Sequence, residues 1–488
     1  MSKAIVIGAG IAGLASALRL RHQGYEVDVF EKNAYTGGKI HAMQLGQYRF
    51  DLGPSLFTLP YLVDELFELF DKNPEDHFDY IKKETICNYF WEDGSAFSVP
   101  ANKEKFIKDA SAFFNESEDA IRKYLNRSKR KYELTAPVFL EQSLHQSKSF
   151  FNLKTLKALT SAYRLDLNQN LDQVNHNSFS NEKLIQFFNR FATYNGSSPY
   201  KTPGIMSMIP HLEMQLGTYL PKKGMHDISQ SLSRLAKDVG IGFHLNSAVE
   251  ELLIKDNIVT GIKTDGKIYN AKAVVCNMDV YTAYNTILKN TPKPEKTLKQ
   301  ERSSSALIFY WGINKKFESL DLHNILFSKN YKQEFKHIFE KKYFYNDPTV
   351  YINITSKHIN NDAPEGCENW FTMVNAPTHE GQDWKAQTTY IREKIINKIN
   401  KSLNTQIQNH IEVEKVLTPQ DIEQETASFQ GSLYGTSSNS KFSAFLRHPN
   451  FSSTYKNLFF CGGSVHPGGG IPLCLMSAKI IAQLTPKP

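Results

Sequence analysis

The stretch from Ala4 to Glu31 narrows the fold more than any other part of the chain. A short apolar strand, Ala4-Ile5-Val6-Ile7, runs directly into Gly8, Gly10 and Gly13. An apolar helical run, Ile11 to His22, follows, and after Gly24 a second strand, Val27-Asp28-Val29-Phe30, ends on Glu31. Each part has a mechanical reason. Gly8 permits a tight turn, Gly10 lets backbone approach a pyrophosphate, and Gly13 lets the helix lie close to the strand. The helix then aims its N-terminus, with Ala12 in the first turn, at the phosphates. Glu31, 18 residues after Gly13 and followed by Lys32, stands where a carboxylate holds a ribose diol. The same stretch imitates a secretory signal, because Ala4 to Leu18 is uncharged, Lys3 precedes it and Ala15-Ser16-Ala17 closes it. The glycines in register with strand and helix favour the dinucleotide fingerprint, and the run is too short to span a bilayer.

The continuation separates two dinucleotides. Glu31-x5-Gly37-Gly38-Lys39 is followed by Phe50-Asp51-Leu52-Gly53-Pro54-Ser55-Leu56. An NAD site has no use for a second glycine pair here, whereas FAD, whose ring reaches further across the domain, does. These three motifs resemble the flavoprotein group that includes amine oxidases, protoporphyrinogen oxidases, the Rab escort and GDP-dissociation-inhibitor proteins, and carotenoid desaturases.

Later segments return to the same domain. Tyr219 to Met225 punctuates the chain and starts a helix, Asp227 to Asp238. Alternating apolar runs at 239–246, 249–252, 258–262 and 271–277 read as strands. Ser303 to Gly312, Asn353 to Thr355 and Phe371 to Val374 read as strands of a second sheet, with a helix from Tyr390 to Leu403. Asn457 to Cys461 reads as a buried strand, Gly462 to Gly470 as a glycine-dense loop and Ile471 to Leu484 as a helix. The expected fold class is α/β: a Rossmann-like FAD-binding domain of the glutathione-reductase and amine-oxidase type with an inserted α+β substrate domain. Residues 1–75, 219–290 and 456–488 are assigned to the cofactor domain. Residues 76–218, largely helical and facing a membrane in part, and 291–455 are assigned to the substrate domain.

A second resemblance runs nearly end to end. Tyr219-Leu220-Pro221-Lys222-Lys223-Gly224-Met225, Ser303 to Ala306, Phe57-Thr58 and above all the loop from Gly462 to Pro472 are similar to the bacterial phytoene desaturase family. Overall similarity is greatest to its 1-hydroxycarotenoid 3,4-desaturase branch. Lys223, where that family more often has Gly, and Ser464, where Thr is usual, depart from the pattern. The resemblance implies FAD as cofactor and a long apolar carotenoid as substrate, with 3,4-desaturation of a 1'-hydroxycarotenoid as the reaction. Hydride would leave an allylic carbon for flavin N5, a proton would leave its neighbour, and oxygen or a quinone would reoxidise the flavin.

It also implies that Val249 touches the adenine and that Asn277 and Met278 pass near the cofactor. A helix beginning near Ile471 would aim its N-terminus at the flavin, with Gly468 to Gly470 allowing the close approach. The cofactor set is therefore Gly8, Gly10, Ala12, Gly13, Glu31, Lys32, Gly38, Lys39, Ser55, Leu56, Val249, Asn277, Met278, Gly463, Gly470 and Ile471. His466, the titratable side chain of the C-terminal loop, is the candidate proton acceptor, against the plainer role of fixing that loop. Phytoene desaturase, carotene isomerase and amine- or protoporphyrinogen-oxidase chemistry stay open as alternatives, as does a binding protein for prenylated partners.

Composition adds limits. Across 488 residues the charge is 57 − 50 = +7, spread rather than clustered, which points away from nucleic acid. The five cysteines are scattered without a Cys-x-x-Cys pair, and no His pair has metal-ligand spacing on a helix, so a reducing compartment and no metal are expected. Phe150 to Arg164, with leucines and basic residues at helical spacing, fits a helix lying on an anionic bilayer or an amphipathic core helix equally. Ile205 to Tyr219, rich in Met and Leu, fits a tunnel wall or plain core. The resulting expectation is a cytoplasmic protein peripheral to the inner face of the cell membrane.

Overall fold

The computed structural model describes residues 2–146, 164–440, 443 and 445–488. A five-stranded parallel sheet organises the cofactor side, in the order Leu458–Phe460, Ala273–Cys276, Lys3–Ile7, Glu26–Phe30, Gly242–His244. Its centre pairs Ala4 with both Val27 and Ala273, and its outer strands pair Asp28 with Gly242 and Val274 with Leu458. Strands covered on both faces read as unbroken apolar runs, as Ala273-Val274-Val275-Cys276 does. The helix Ile11–His22 is buried from Ile11 to Leu20 because it is clasped by helices His226–Asp238 and Ile471–Leu484 as well as by the sheet. Its Arg19, nearly buried, is paired with Glu65.

A seven-stranded sheet forms the second layer. Its order is Ile411–Leu417, Ser305–Ile313, Glu368–Ala376, Val350–Asn353, His323–Leu326, Thr85–Phe90, Ala96–Pro100. All neighbours are antiparallel except His323–Leu326 and Thr85–Phe90, where Asn324 pairs with Asn88 in parallel. Trp311 and Trp370 are fully buried in it. Helices Lys103–Phe114, Glu118–Thr135 and Glu182–Asn189, through Phe106, Phe114, Tyr124, Phe187 and Phe188, and helix Leu171–His176, through Val174, share one apolar cluster with the strands Thr85–Phe90 and Ala96–Pro100.

Several boundaries differ from the sequence reading for local reasons. The strand expected over Asn353 to Thr355 is Val350–Asn353, because Thr355 turns into a short 3-10 segment and gives its hydroxyl to Asp362. The helix expected from Tyr390 begins at Trp384, where Asp383 caps it by accepting from Ala386 N at 3.0 Å. The strand expected at 249–252 runs from Glu251 to Lys255, so Val249 precedes it. The hairpin Thr85 to Pro100, turning at Asp93-Gly94, was not read from the sequence. The segment Phe150 to Arg164 lies outside the described residues except for Arg164. Among the described residues no helix is long and apolar enough to cross a membrane.

Candidate active site

A cavity of about 600 Å³ runs between the two layers. On one side it is walled by the ends of the parallel strands and two helix N-termini. Glu31, buried, accepts from Ala9 N (2.8 Å) and Asn33 N (2.9 Å), so its carboxylate is fixed by backbone with lone pairs to spare. The helix at Ile11 starts on Gly10, whose extended backbone carries no side-chain cap. The helix at Ile471 starts on Gly470, at φ 105° and likewise uncapped, and among the described residues nothing beyond its own chain neighbours lies within 4 Å of where a Cβ on Gly470 would stand. Two sets of unpaired amides thus end at the cavity.

Lys39 lines it too, donating from Nζ to the carbonyls of Leu433 (3.0 Å) and Ser432 (3.3 Å). Desolvation lowers its pKa, against the opposing pull of Asp279. Asn277 closes the wall, with Nδ2 donating to Gly8 O at 3.3 Å. A fixed carboxylate, two uncapped helix N-termini and an open glycine rim match what FAD requires: a diol acceptor, pyrophosphate donors and close backbone approach to a planar ring.

The opposite side is made of side chains. Met206, Met208, Ile209, Leu212, Phe327 and Phe371 are among its apolar lining. Of the run Ile205 to Tyr219, the part from Met206 to Glu213 supplies wall, while Met214 and Ile205 are buried in the core. Set into this chamber is a polar cluster. Arg190 and Glu213 form a buried ion pair, and Tyr194 donates its hydroxyl to Glu213. Burial works against the Arg190 charge, but Glu213, Tyr89 and Cys87 together outweigh it and raise the pKa; burial pushes Glu213 up against the pull of Arg190. Ser55, Tyr351 and His323 make a chain: Ser55 Oγ to Tyr351 Oη 2.8 Å, and Tyr351 Oη to His323 Nδ1 2.7 Å.

All the nominated residues except Gly13 line this one cavity. Gly13 sits where helix meets strand, and a Cβ there would stand 2.0 Å from Gly8 O. It shapes the site from behind and does not face it. His466 lines the cavity, but its ring Nε2 lies 2.9 Å from the carbonyl of Gln142, and burial holds its pKa down to about 4. That seat suits a residue anchoring the glycine loop. The two departures from the family pattern fall harmlessly: Lys223 is exposed, and Ser464 Oγ accepts from Val280 N at 3.0 Å, as a Thr hydroxyl would.

Sequence reasoning missed Arg190, Glu213, His323, Tyr351 and Arg447. The last is a buried cation on the cavity wall that donates to the carbonyls of Tyr434 (2.8 Å) and Gly463 (3.4 Å) and has its pKa lowered to about 10 by burial. A signal existed for two of them. Arg190 interrupts the aromatic run Phe187-Phe188-Asn189-Arg190-Phe191, and Glu213 is the one acid in Ile205 to Tyr219.

Comparison with known proteins fits this geometry. The family model of flavin containing amine oxidoreductases matches residues 11–485. A 1-hydroxycarotenoid 3,4-desaturase from a Flavobacterium species is 59% identical over 486 residues, covering 100% of this chain and 99% of the relative. A 4,4'-diaponeurosporene oxygenase from Staphylococcus haemolyticus is 28% identical, with 99% and 96% covered. Among solved structures, an oxidoreductase from Methanosarcina mazei superposes with a TM-score of 0.64 at 15% identity over 98% of both chains. A putrescine oxidase double mutant gives 0.62 at 14%, over 99% of this chain and 98% of its own. These structures share the fold. With its fingerprint, its FAD-compatible wall and a match over nearly its whole length, the chain belongs to the flavin-containing amine oxidoreductase family and is an FAD-dependent oxidoreductase.

Proposed function

We propose that this enzyme is a carotenoid desaturase that introduces a double bond beside the polyene of a 1'-hydroxycarotenoid, at the 3,4 position counted from the hydroxylated end, in which count the substrate is 1-hydroxylated. The observation that carries the reading is one continuous cavity whose first wall suits FAD and whose second is a chamber of Met, Leu, Ile and Phe. The relative at 59% identity, named for that activity, supports it.

FAD, when bound, supplies the two-electron oxidant. Glu31, the Ile11 helix N-terminus, Lys39 and Val249 would hold it, with Gly463, Gly470 and Ile471 at the opposite rim. The chain's own work is then orientation and exclusion of water. The apolar wall desolvates the substrate, and the uncapped N-terminus at Ile471 favours negative charge on whatever it faces. His466, neutral and tied to Gln142, keeps the glycine loop in place. The substrate dissolves in lipid, so the enzyme would visit the inner face of the cell membrane as a peripheral protein, and oxygen or a quinone would take the electrons. Residues 1–75, 219–290 and 456–488 would act as the cofactor unit, with 76–218 and 291–455 as the substrate unit.

Expression in cells that accumulate defined carotenoids tests this reading. A product lighter by two hydrogens from a 1-hydroxylated carotenoid, with phytoene left unchanged, is the expected outcome. Conversion of phytoene alone, or an isomer of unchanged mass, would replace it with one of the alternatives.

A further inference from the structure

We propose that Arg190, Glu213 and His323 form a seat for the substrate's hydroxyl group, the polar feature that separates a 1-hydroxylated carotenoid from its hydrocarbon parent; the proposal rests on the functional reading above. Two unpaired atoms start the argument. Among the described residues neither Arg190 Nε nor His323 Nε2, both buried, has a hydrogen-bond partner, and both side chains line the cavity. Such orphans are costly in a native fold and point to a ligand or water that completes them.

Both orphans are donors. Asn353 Nδ2 lies 3.0 Å from the carbonyl of Leu322, which fixes that atom as the amide nitrogen, and 3.2 Å from His323 Nδ1. His323 Nδ1 therefore accepts, and Nε2 carries the proton. Burial keeps this imidazole uncharged. A hydroxyl oxygen has two lone pairs, one for each donor. Its own proton can go to Glu213, whose oxygens accept from Arg190 and Tyr194 and retain free lone pairs.

Position agrees with the chemistry. In a 1-hydroxylated chain that is oxidised at the 3,4 bond, one methylene separates the hydroxyl-bearing carbon from the nearer reacting carbon. A group that reads the hydroxyl must therefore share the cofactor's part of the cavity. The chain from Ser55 through Tyr351 to His323 joins the seat to the Pro54-Ser55 turn on the cofactor wall. The surroundings are aromatic: the Arg190 guanidinium lies 4.2 Å from the Phe191 ring centre and 5.4 Å from that of Tyr89. A hydrocarbon end placed there would leave the donors unpaired, whereas a hydroxylated end satisfies them.

The test compares two substrates on the same enzyme, so that losses of folding or flavin content cancel. A 1-hydroxylated acyclic carotene and the same carotene with hydrogen in place of the hydroxyl are presented in phosphatidylcholine vesicles to the FAD-loaded protein. Wild type should convert the hydroxylated compound about tenfold to a hundredfold faster. His323→Leu, and separately the charge-removing pair Arg190→Met with Glu213→Leu, should bring that ratio to about one while the flavin absorbance persists. Wild type that prefers the hydroxylated compound, with flavin-loaded variants that keep the preference, overturns the seat and leaves the functional reading standing. Wild type that converts only the hydrocarbon overturns both. Equal rates with wild type mean that water fills the seat, and they overturn the proposal without any variant.

Discussion

Where the cavity passes Gly8, Gly10, Gly38 and Gly470 its wall is largely backbone, whereas around Arg190, Glu213 and His323 it is side chain. Backbone surfaces present amides whose positions are fixed by the fold, so they suit a ligand that never changes. Side-chain surfaces can be exchanged without disturbing the sheet beneath, so they suit the part of the site that selects a substrate. The two walls should accordingly fail in opposite ways: the first when an atom is added, the second when one is taken away.

The largest effect is expected from adding atoms behind the first wall. Gly13→Val puts a Cβ about 2.0 Å from Gly8 O, where backbone on both sides cannot give way. Purified protein should lack the visible flavin band or be lost as insoluble material; a yellow, soluble variant would break the comparison. Next is Arg190→Met, which leaves Glu213 buried without its cation and should cost about 3–5 kcal/mol, read as a fall in the urea midpoint. Adding Glu213→Leu should recover most of that loss, since two buried charges have then been removed together. Glu31→Gln keeps the shape of the first wall but weakens its charge-assisted bonds. FAD affinity, measured by flavin release on dilution, should drop about tenfold to a hundredfold.

The smallest effect per residue is a pH dependence shared by both walls. His466 has its pKa held down to about 4, and His323 to about 3, in each case chiefly by burial, against 6.5 for an ordinary histidine. Below pH 6.5 the unfolded chain binds these protons and the folded chain does not. Stability is therefore complete above that pH and declines as pH falls toward 4, by at most about 1.4 kcal/mol per pH unit for each histidine. Between pH 7 and pH 5 each of these histidines should lower stability by roughly 1–2 kcal/mol, read from the urea midpoints; no difference would show the imidazoles to be hydrated.

The contrast between walls also explains what could be read in advance. Ile11–His22 and Ile471–Leu484 have the limits that the sequence suggests, because strand, glycine and helix follow one another within a few residues. Spacing of that kind is visible in one dimension. The chamber is assembled from residues near positions 190, 213, 323 and 351, which only the seven-stranded sheet and the short turns at Gly204–Met208 and His211–Leu216 bring together. A lone Arg in an aromatic run and a lone Glu in a Met-rich one mark the polar pair, yet nothing local says that they face each other. The hairpin Thr85 to Pro100 was hidden for a related reason: its strands are short, and their partner, His323–Leu326, lies far along the chain.

One consequence of the five-stranded sheet concerns the order of synthesis. Its outer strand Leu458–Phe460 pairs with Ala273–Cys276, and the helix Ile471–Leu484 packs on Ile11–His22. The glycine rim at Gly462 to Gly470 lies between these two elements. A nascent chain that has left the ribosome as far as residue 450 therefore has its fingerprint but only part of the cradle around it. Cofactor loading is in effect a late checkpoint: a prematurely terminated polypeptide would lack one wall, could not retain the flavin, and would be marked for proteolysis by the apolar helix face it leaves uncovered.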